Sequence, residues 1–449
     1  MGVIMNLSAF KAYDIRGNYP EEVNEELAYQ VGRAFVKFSS AKIVAVGRDM
    51  RLSSPSLSTK LIQGINDEGA DVINIGLCTT PMLSFAVAKF GYEGGIMISA
   101  SHNPGGDNAF KIIDKNVIQL DESSGLNDIK KIIQSGFGAV AKKPGKTKHK
   151  EITDDYASHI EKKVGKVKPL NIVADYGNGV GAISAFPVLT DLGINLDQMY
   201  AEPDGAFPNH PANPHDLVNF VNLINRVTEK KADFGLFFDG DADRVNFVDD
   251  KGRIVPVDLL VVLLAQEELQ KHKSGYVYYD LRFSKAVPTF IKKAGGNPVM
   301  MRVGNPFYKK VLREKGGVLG AEFAGHIMFP ENYNIDDALF AALKTIKLVG
   351  RRKQKLSKLI DEVTVFSASP EESMEAKNPS TVFARLITAF PEAKQVKLDG
   401  VYLDFGDDGF ISVRQSQNEL QLFRIRVEAK TAIIMQARFD KVKNIVSEG

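Results

Sequence analysis

Short β-branched runs, each leading into a loop bearing glycine or proline and then a helix, recur along most of this 449-residue chain, and that rhythm restricts the fold to layered α/β structure. Ile43–Val46 ends in Gly47-Arg48-Asp49, and Leu57, Leu61, Ile62 and Ile65 follow at helical spacing. Val72–Ile75 runs into Gly76 and Pro81 and a second helix, and Ile96–Ile98 runs straight into a polar turn. The lysine-rich stretch 142–150, with Pro144-Gly145 inside it, breaks the pattern and reads as a linker. The rhythm then resumes. Leu170–Ala174 leads to the glycine-rich segment 177–181, and Asp233–Phe238 leads to an acidic loop. A third cycle begins near Val277–Tyr279 and includes 318–322. Beyond about residue 364 the style changes to alternating strands, Phe410–Val413 and Leu422–Val427, and a C-terminal helix. The rhythm divides the chain into α/β stretches over 1–149, 150–251 and 252–363 and a smaller, differently built tail over 364–449, with a period too irregular to prove a repeat.

Two loops in this frame carry chemistry, because ligands in α/β folds gather at the carboxyl ends of strands. The first is Ser99-Ala100-Ser101-His102-Asn103-Pro104, where Ser101 sits on a turn backed by Gly105 and Gly106. Such a turn suits an exposed nucleophile, and equally a plain polar turn. No Gly-x-Ser-x-Gly elbow surrounds the serine, and His102, its sequence neighbour, is expected to point away from the same oxygen, which argues against a hydrolase triad. The second loop is Asp239-Gly240-Asp241-Ala242-Asp243-Arg244. Its alternate carboxylates suit a hard divalent cation such as Mg²⁺. An EF-hand is excluded, since Arg244 stands at the sixth position and Asp250 at the twelfth. A solvated acidic turn is the other reading.

Charge and cysteine content narrow the class. The 57 Lys and Arg against 55 Asp and Glu give a net +2, too little to argue for nucleic acid or a membrane surface. The single Cys78 excludes an intrachain disulfide and fits a reducing compartment. The first residues lack a signal pattern, and the longest apolar stretch, Leu259–Ala265, reads as a buried helix. A cytoplasmic protein is expected.

The serine turn followed by the triple-aspartate loop resembles the α-D-phosphohexomutase superfamily over nearly the whole chain. The resemblance implies three similar α/β domains with mixed sheets plus a smaller C-terminal α+β domain, a phosphoserine at Ser101, and interconversion of 1-phospho and 6-phospho sugars, with a hexose 1,6-bisphosphate as intermediate and activator. It implies Mg²⁺ on Ser101, Asp239, Asp241 and Asp243, and a small phosphosugar as partner, with the oligomeric state left open. Ala12-Tyr-Asp-Ile-Arg16-Gly17 matches the family's N-terminal signature, making Arg16 an electrostatic catalyst. Lys111 matches a family lysine and becomes a proton acceptor if cationic neighbours lower its pKa; otherwise it is a solvated surface charge. The segment 47–51 resembles scaffold around the site. Arg244 resembles a position that reaches substrate or phosphoserine.

Substrate positions depart further from the family pattern. Ala321-Glu322-Phe323-Ala324-Gly325-His326 stands where a Gly-Glu-x-Ser-Gly-His loop is usual. Glu322 is retained for ring hydroxyls, Ala324 loses a hydroxyl, and His326 is an acid/base, phosphate-contacting or structural residue. Asn305 replaces a usual histidine, and Arg282 a usual lysine, both near substrate. Arg414, Ser416, Gln417, Asn418 and Arg424 resemble the phosphate loop of the C-terminal domain, with Leu420 where proline is usual. The implied enzyme is a hexose (mannose or glucose) phosphomutase of the isomerase class; the alternatives are a phosphoglucosamine mutase and a non-catalytic phosphosugar-binding relative.

Overall fold

The computed structural model describes residues 7–416 and 421–448. The described residues fold as two compact units: residues 7–255, 309–315 and 324–357 form one, and residues 256–308, 316–323, 358–416 and 421–448 the other.

The first unit holds two sheets built on one plan. Strands β1 (Ile15–Asn18), β2 (Ile43–Arg48), β3 (Asp71–Leu77), β4 (Gly94–Ile98), β5 (Asp107–Asp114) and β6 (Thr147–His149) form a sheet of order β1-β5-β4-β2-β3-β6. Strands β7 (Asn171–Asp175), β8 (Asn195–Met199), β9 (Phe234–Phe238), β10 (Val245–Asp249) and β11 (Ile254–Val255) form the other, of order β11-β10-β9-β7-β8. In each, a central parallel strand is flanked by two parallel neighbours, β3 and β4 about β2, and β8 and β9 about β7. In each, the second neighbour then turns back into an antiparallel partner, β4 into β5 and β9 into β10. The serine turn and the acidic loop are those two turns. Strands β4 and β9 are buried along their whole length, so they read as continuous apolar runs rather than alternating ones.

The stretch expected to be a linker is partly a strand: β6 pairs in parallel with β3 at the sheet edge. All three of its side chains are exposed, so the hydrophobic pattern that betrays a strand is missing and only backbone pairing makes it one. The helices Glu25–Ser39 and Ser54–Asp67 cover one face of this sheet, burying Leu27, Val31, Phe35, Leu57, Leu61 and Ile65 against Val44, Val46 and Ile96.

The second unit repeats the core of the plan. Strand β12 (Tyr276–Asp280) lies between β13 (Asn297–Met301) and β14 (Leu319–Ala321), parallel to both, and the Glu322 loop starts directly after β14. The apolar run Leu259–Ala265 is buried inside the helix Val257–Lys271. The residues after 364 build an antiparallel sheet whose central pair is Gly409–Gln415 and Leu422–Ala429, packed on the helices Pro379–Ala389 and Ala432–Glu448 through Val382, Leu386, Ile411, Val413, Ile425 and Val442. Among the described residues no helix is long and apolar enough to cross a membrane.

Candidate active site

Ser101 is shaped by the turn after β4. Its backbone is left-handed, φ 53°, and its N–H donates to Ser99 Oγ at 3.0 Å. Arg51, fully buried and paired with Asp49 at 3.1 Å, ties the turn together. It donates to the carbonyl oxygens of Ser101 (3.0 Å), Asn103 (2.6 Å), Asp107 (2.8 Å) and Pro104. The expectation that 47–51 is scaffold is thus given its physical content.

The serine hydroxyl is buried and aimed at the acidic loop. Ser101 Oγ donates to Asp239 Oδ2 at 2.7 Å, and Arg244 Nη2 donates to Ser101 Oγ at 2.6 Å. Contrary to expectation, His102 shares this oxygen, with Nδ1 3.4 Å from Ser101 Oγ. In extended chain, neighbouring side chains diverge; the left-handed turn at Ser101 brings them together. His102 also accepts from Arg244, and burial followed by the charge of Arg244 holds its imidazole well below the ordinary range.

The acidic loop can approach so closely because of Gly240. A Cβ there would stand 2.4 Å from the carbonyl oxygen of Ser101. Asp239, Asp241 and Asp243 are all buried, and one ligand oxygen from each lies within 4.8 Å of the others. Arg244 Nε pairs with Asp239 at 2.8 Å, and Thr80 Oγ1 donates to Asp241 Oδ2 at 2.6 Å. Burial and then the negative charge of Asp243 push the Asp239 carboxyl up, as expected where carboxylates outnumber cations. Asp241 Oδ1 and Asp243 Oδ1 are buried without a hydrogen-bond partner among the described residues. Buried carboxylate oxygens are costly to leave unmet, and this hard, convergent oxygen set fits a divalent cation.

Lys111 is where the sequence reading needs correcting. It is neither solvated nor ringed by cations: its Nζ donates to Asp241 Oδ2 at 2.5 Å and to Asp243 Oδ2 at 2.6 Å. Burial works against its charge, but Asp241, Asp243 and Asp239 outweigh burial and hold the ammonium above the ordinary lysine range. These partners lie some 130 residues away in sequence, so nothing local announced them. Arg16, on β1, pairs with Asp14 at 2.6 Å and reaches the serine turn through Asn103 Oδ1 at 2.5 Å and the Ala100 carbonyl at 3.4 Å. His326 belongs to the same unit: its Nδ1 is 3.1 Å from Asp336 Oδ2 and 3.7 Å from Asp243 Oδ1. Thr80, Asn103 and Asp336 were given no role in the site from sequence, because each acts through a long-range contact rather than a local pattern. Ala324, half-buried, opens the segment that leads to His326.

The remaining candidates lie in the second unit. Arg282 is held in bidentate fashion by Asp280 at 2.9 and 2.6 Å and also meets Glu371 at 3.2 Å. Glu322 Oε1 accepts the backbone N–H of Gly304 at 2.8 Å, and Asn305 opens the helix Asn305–Lys315 just beyond it. Arg414 and Arg424 are directly opposite in the register of their strands; Arg414 pairs with Asp399 at 2.9 Å and Arg424 donates to Ser373. Ser416 closes the end of that hairpin, its N–H donating to Leu422 O at 2.7 Å. Gln417 and Asn418 lie outside the described residues.

Sequence models of the family described as phosphoglucomutase/phosphomannomutase match this chain with alpha/beta/alpha domain I at residues 7–138, domain II at 154–252 and domain III at 256–366. The chain is 32% identical to a phosphomannomutase of Salmonella typhimurium, over 96% of this chain and 97% of that one. It is 33% identical to a phosphomannomutase/phosphoglucomutase of Pseudomonas aeruginosa, over 98% and 94%. Its structure superposes on a phosphoglucomutase/phosphomannomutase family protein of Burkholderia thailandensis with a TM-score of 0.89 at 29% identity, covering 98% of this chain and 97% of that one. With its serine turn hydrogen-bonded to its acidic loop and its first three domains matched in order, the chain belongs to the phosphoglucomutase/phosphomannomutase family of the α-D-phosphohexomutase superfamily, enzymes of the isomerase class that transfer a phosphate within their substrate.

Proposed function

We propose that this enzyme interconverts the 1-phosphate and 6-phosphate of a hexose, mannose or glucose, through a phosphoserine at Ser101 and a bisphosphosugar intermediate. The observation that carries the reading is the serine hydroxyl fixed between Asp239 and Arg244, beside buried carboxylate oxygens that have no hydrogen-bond partner among the described residues. In the first half-reaction the bond between phosphorus and Ser101 Oγ breaks as the free sugar hydroxyl bonds to phosphorus, and that hydroxyl loses its proton. The intermediate turns around, and its other phosphoryl returns to Ser101 by the reverse steps.

Each side chain has a role that follows from its surroundings. Arg244 donates to the serine oxygen and stabilises the charge that develops on it as the phosphoryl departs, while His102, whose Nδ1 accepts from Arg244, helps to aim that guanidinium. Arg16 fixes the turn and adds positive charge at its entrance, since a guanidinium does not give up its proton. Lys111 neutralises Asp241 and Asp243. His326 is then the better proton carrier for the sugar hydroxyl, an imidazole being able to take and return a proton near neutral pH. Asp239, Asp241 and Asp243, with an oxygen on Ser101, would hold Mg²⁺, which when bound supplies positive charge to the transferring phosphoryl oxygens. Glu322 and Arg282 recognise the sugar, with Asn305 donating nearby, and Arg414, Ser416 and Arg424 grip its second phosphate. The lone, buried Cys78 suits a cytoplasmic setting.

Selectivity between the two hexoses is expected to be weak. They differ at the 2-hydroxyl, whereas Glu322, without a serine at 324, is left to read adjacent ring hydroxyls by itself. Assays with mannose, glucose and glucosamine 1-phosphates side by side should give comparable kcat/KM for the first two and a fall of roughly 5–150-fold in Glu322→Ala, the loss of about 1–3 kcal/mol of hydrogen bonding. A strong preference for the amino sugar would contradict the hexose assignment.

A further inference from the structure

Behind His326 lies a buried ion pair that the reaction above does not use. Asp336 Oδ2 is 3.1 Å from His326 Nδ1, and Asp336 Oδ1 takes Lys309 Nζ at 2.6 Å. Asp336 and Lys309 are only 1% and 2% exposed. Burying such a pair carries a large desolvation penalty for each ion, so packing alone would be served as well by apolar side chains. The three groups come from separate segments: Lys309 from the helix Asn305–Lys315, His326 from the loop before the short strand Ile327–Met328, and Asp336 from just ahead of the helix Ala338–Arg352. A backbone bridge between Met328 and Asp336 sets the last two side by side.

We infer that Asp336 and Lys309 are positioning residues for His326. Asp336 accepts the Nδ1 proton, which fixes both the ring plane and the tautomer, so that Nε2 bears the lone pair that receives the sugar hydroxyl proton. Lys309 anchors the other oxygen of Asp336, keeping the carboxylate ionised and unable to rotate. Asp336 is favoured over Asp243 as the orienting group, because it stands closer to Nδ1 (3.1 against 3.7 Å). This assignment rests on the reading of His326 as proton carrier.

The test separates the two. Nitrogen NMR of the ¹⁵N-histidine enzyme at alkaline pH, with His326 assigned from the signals lost in His326→Gln, reports the tautomer without any turnover. The wild type should show Nδ1 protonated, and Asp336→Asn, whose amide can turn a donor toward the ring, should move the proton to Nε2. In Asp336→Asn and Lys309→Met, kcat should fall by roughly 10–100-fold with KM little changed, and Lys309→Arg should recover part of the loss. Protonation of Nε2 in the wild type, or an unchanged tautomer and kcat in Asp336→Asn, would overturn the inference. Undiminished turnover in His326→Gln would instead remove the proton-carrier reading, while the wild-type tautomer still decides the orientation.

Discussion

Asp241 shows how much of the site is decided by single atoms. Its Oδ2 is occupied twice, by Thr80 and Lys111, while its Oδ1 has no hydrogen-bond partner among the described residues. Asp241→Asn keeps the shape but removes the charge and one hard oxygen, so Mg²⁺ affinity measured by titration calorimetry should fall at least about tenfold, and turnover with it. Unchanged affinity would place the ion elsewhere. Ser101 and the aspartates were legible in the sequence as candidates because each set is local and its chemistry is carried by residue type. The partners of Lys111 were not, because they depend on which strands face each other, and the orientation of His102 depended on a positive φ that no neighbouring residue announces. Position-by-position resemblance named candidates such as Arg282 and Arg414, but gave no hint that each is already held by a carboxylate, Asp280 and Asp399.

At the scale of elements, the serine turn and the acidic loop work only as a pair. Gly240→Ala would put a methyl group 2.4 Å from the carbonyl oxygen of Ser101, and the backbone atom cannot swing aside as a flexible side chain could. The loops must separate. Since misplacement by an ångström can cost about 10²-fold, turnover should fall by roughly that factor while circular dichroism still shows a cooperatively folded protein. Retained turnover would mean that the close approach is dispensable. A second element-scale device is the start of the helix Ala338–Arg352, where the Asp337 side chain caps the Phe340 N–H and also accepts from Tyr156 at 2.7 Å. Burial pushes this carboxyl from an ordinary 3.8 up to about 6. The folded state therefore binds the proton more tightly than the unfolded chain, so the stability this group contributes is fully present below about pH 4 and is lost as pH rises through about 6. A shift of this size corresponds to about 3 kcal/mol at most. Denaturant titrations across that window should show the wild type losing stability relative to Asp337→Asn as pH rises; a constant difference would contradict the assignment.

For the whole molecule, the repeated plan explains why the chemistry sits where it does. The serine turn follows β4, the acidic loop follows β9 and the Glu322 loop follows β14, in each case the second parallel neighbour of a central strand. The α/β rhythm of the sequence exposed the layers and the smaller C-terminal sheet, since buried strands and amphipathic helices leave strong apolar patterns. It did not expose the edge strand β6, whose side chains are all in water, or the equivalence of the three loops, because loop lengths differ while strand order is kept. The account as a whole stands on phosphoryl transfer through Ser101. Incubating the enzyme with hexose 1,6-bisphosphate labelled on its phosphates, mapping the labelled peptide by mass spectrometry and then chasing with unlabelled hexose 1-phosphate tests this directly. Label on Ser101 that passes to the sugar during the chase, and the loss of both label and turnover in Ser101→Ala, is the predicted result; an unlabelled Ser101 in a turning-over enzyme, or full activity in Ser101→Ala, would contradict it.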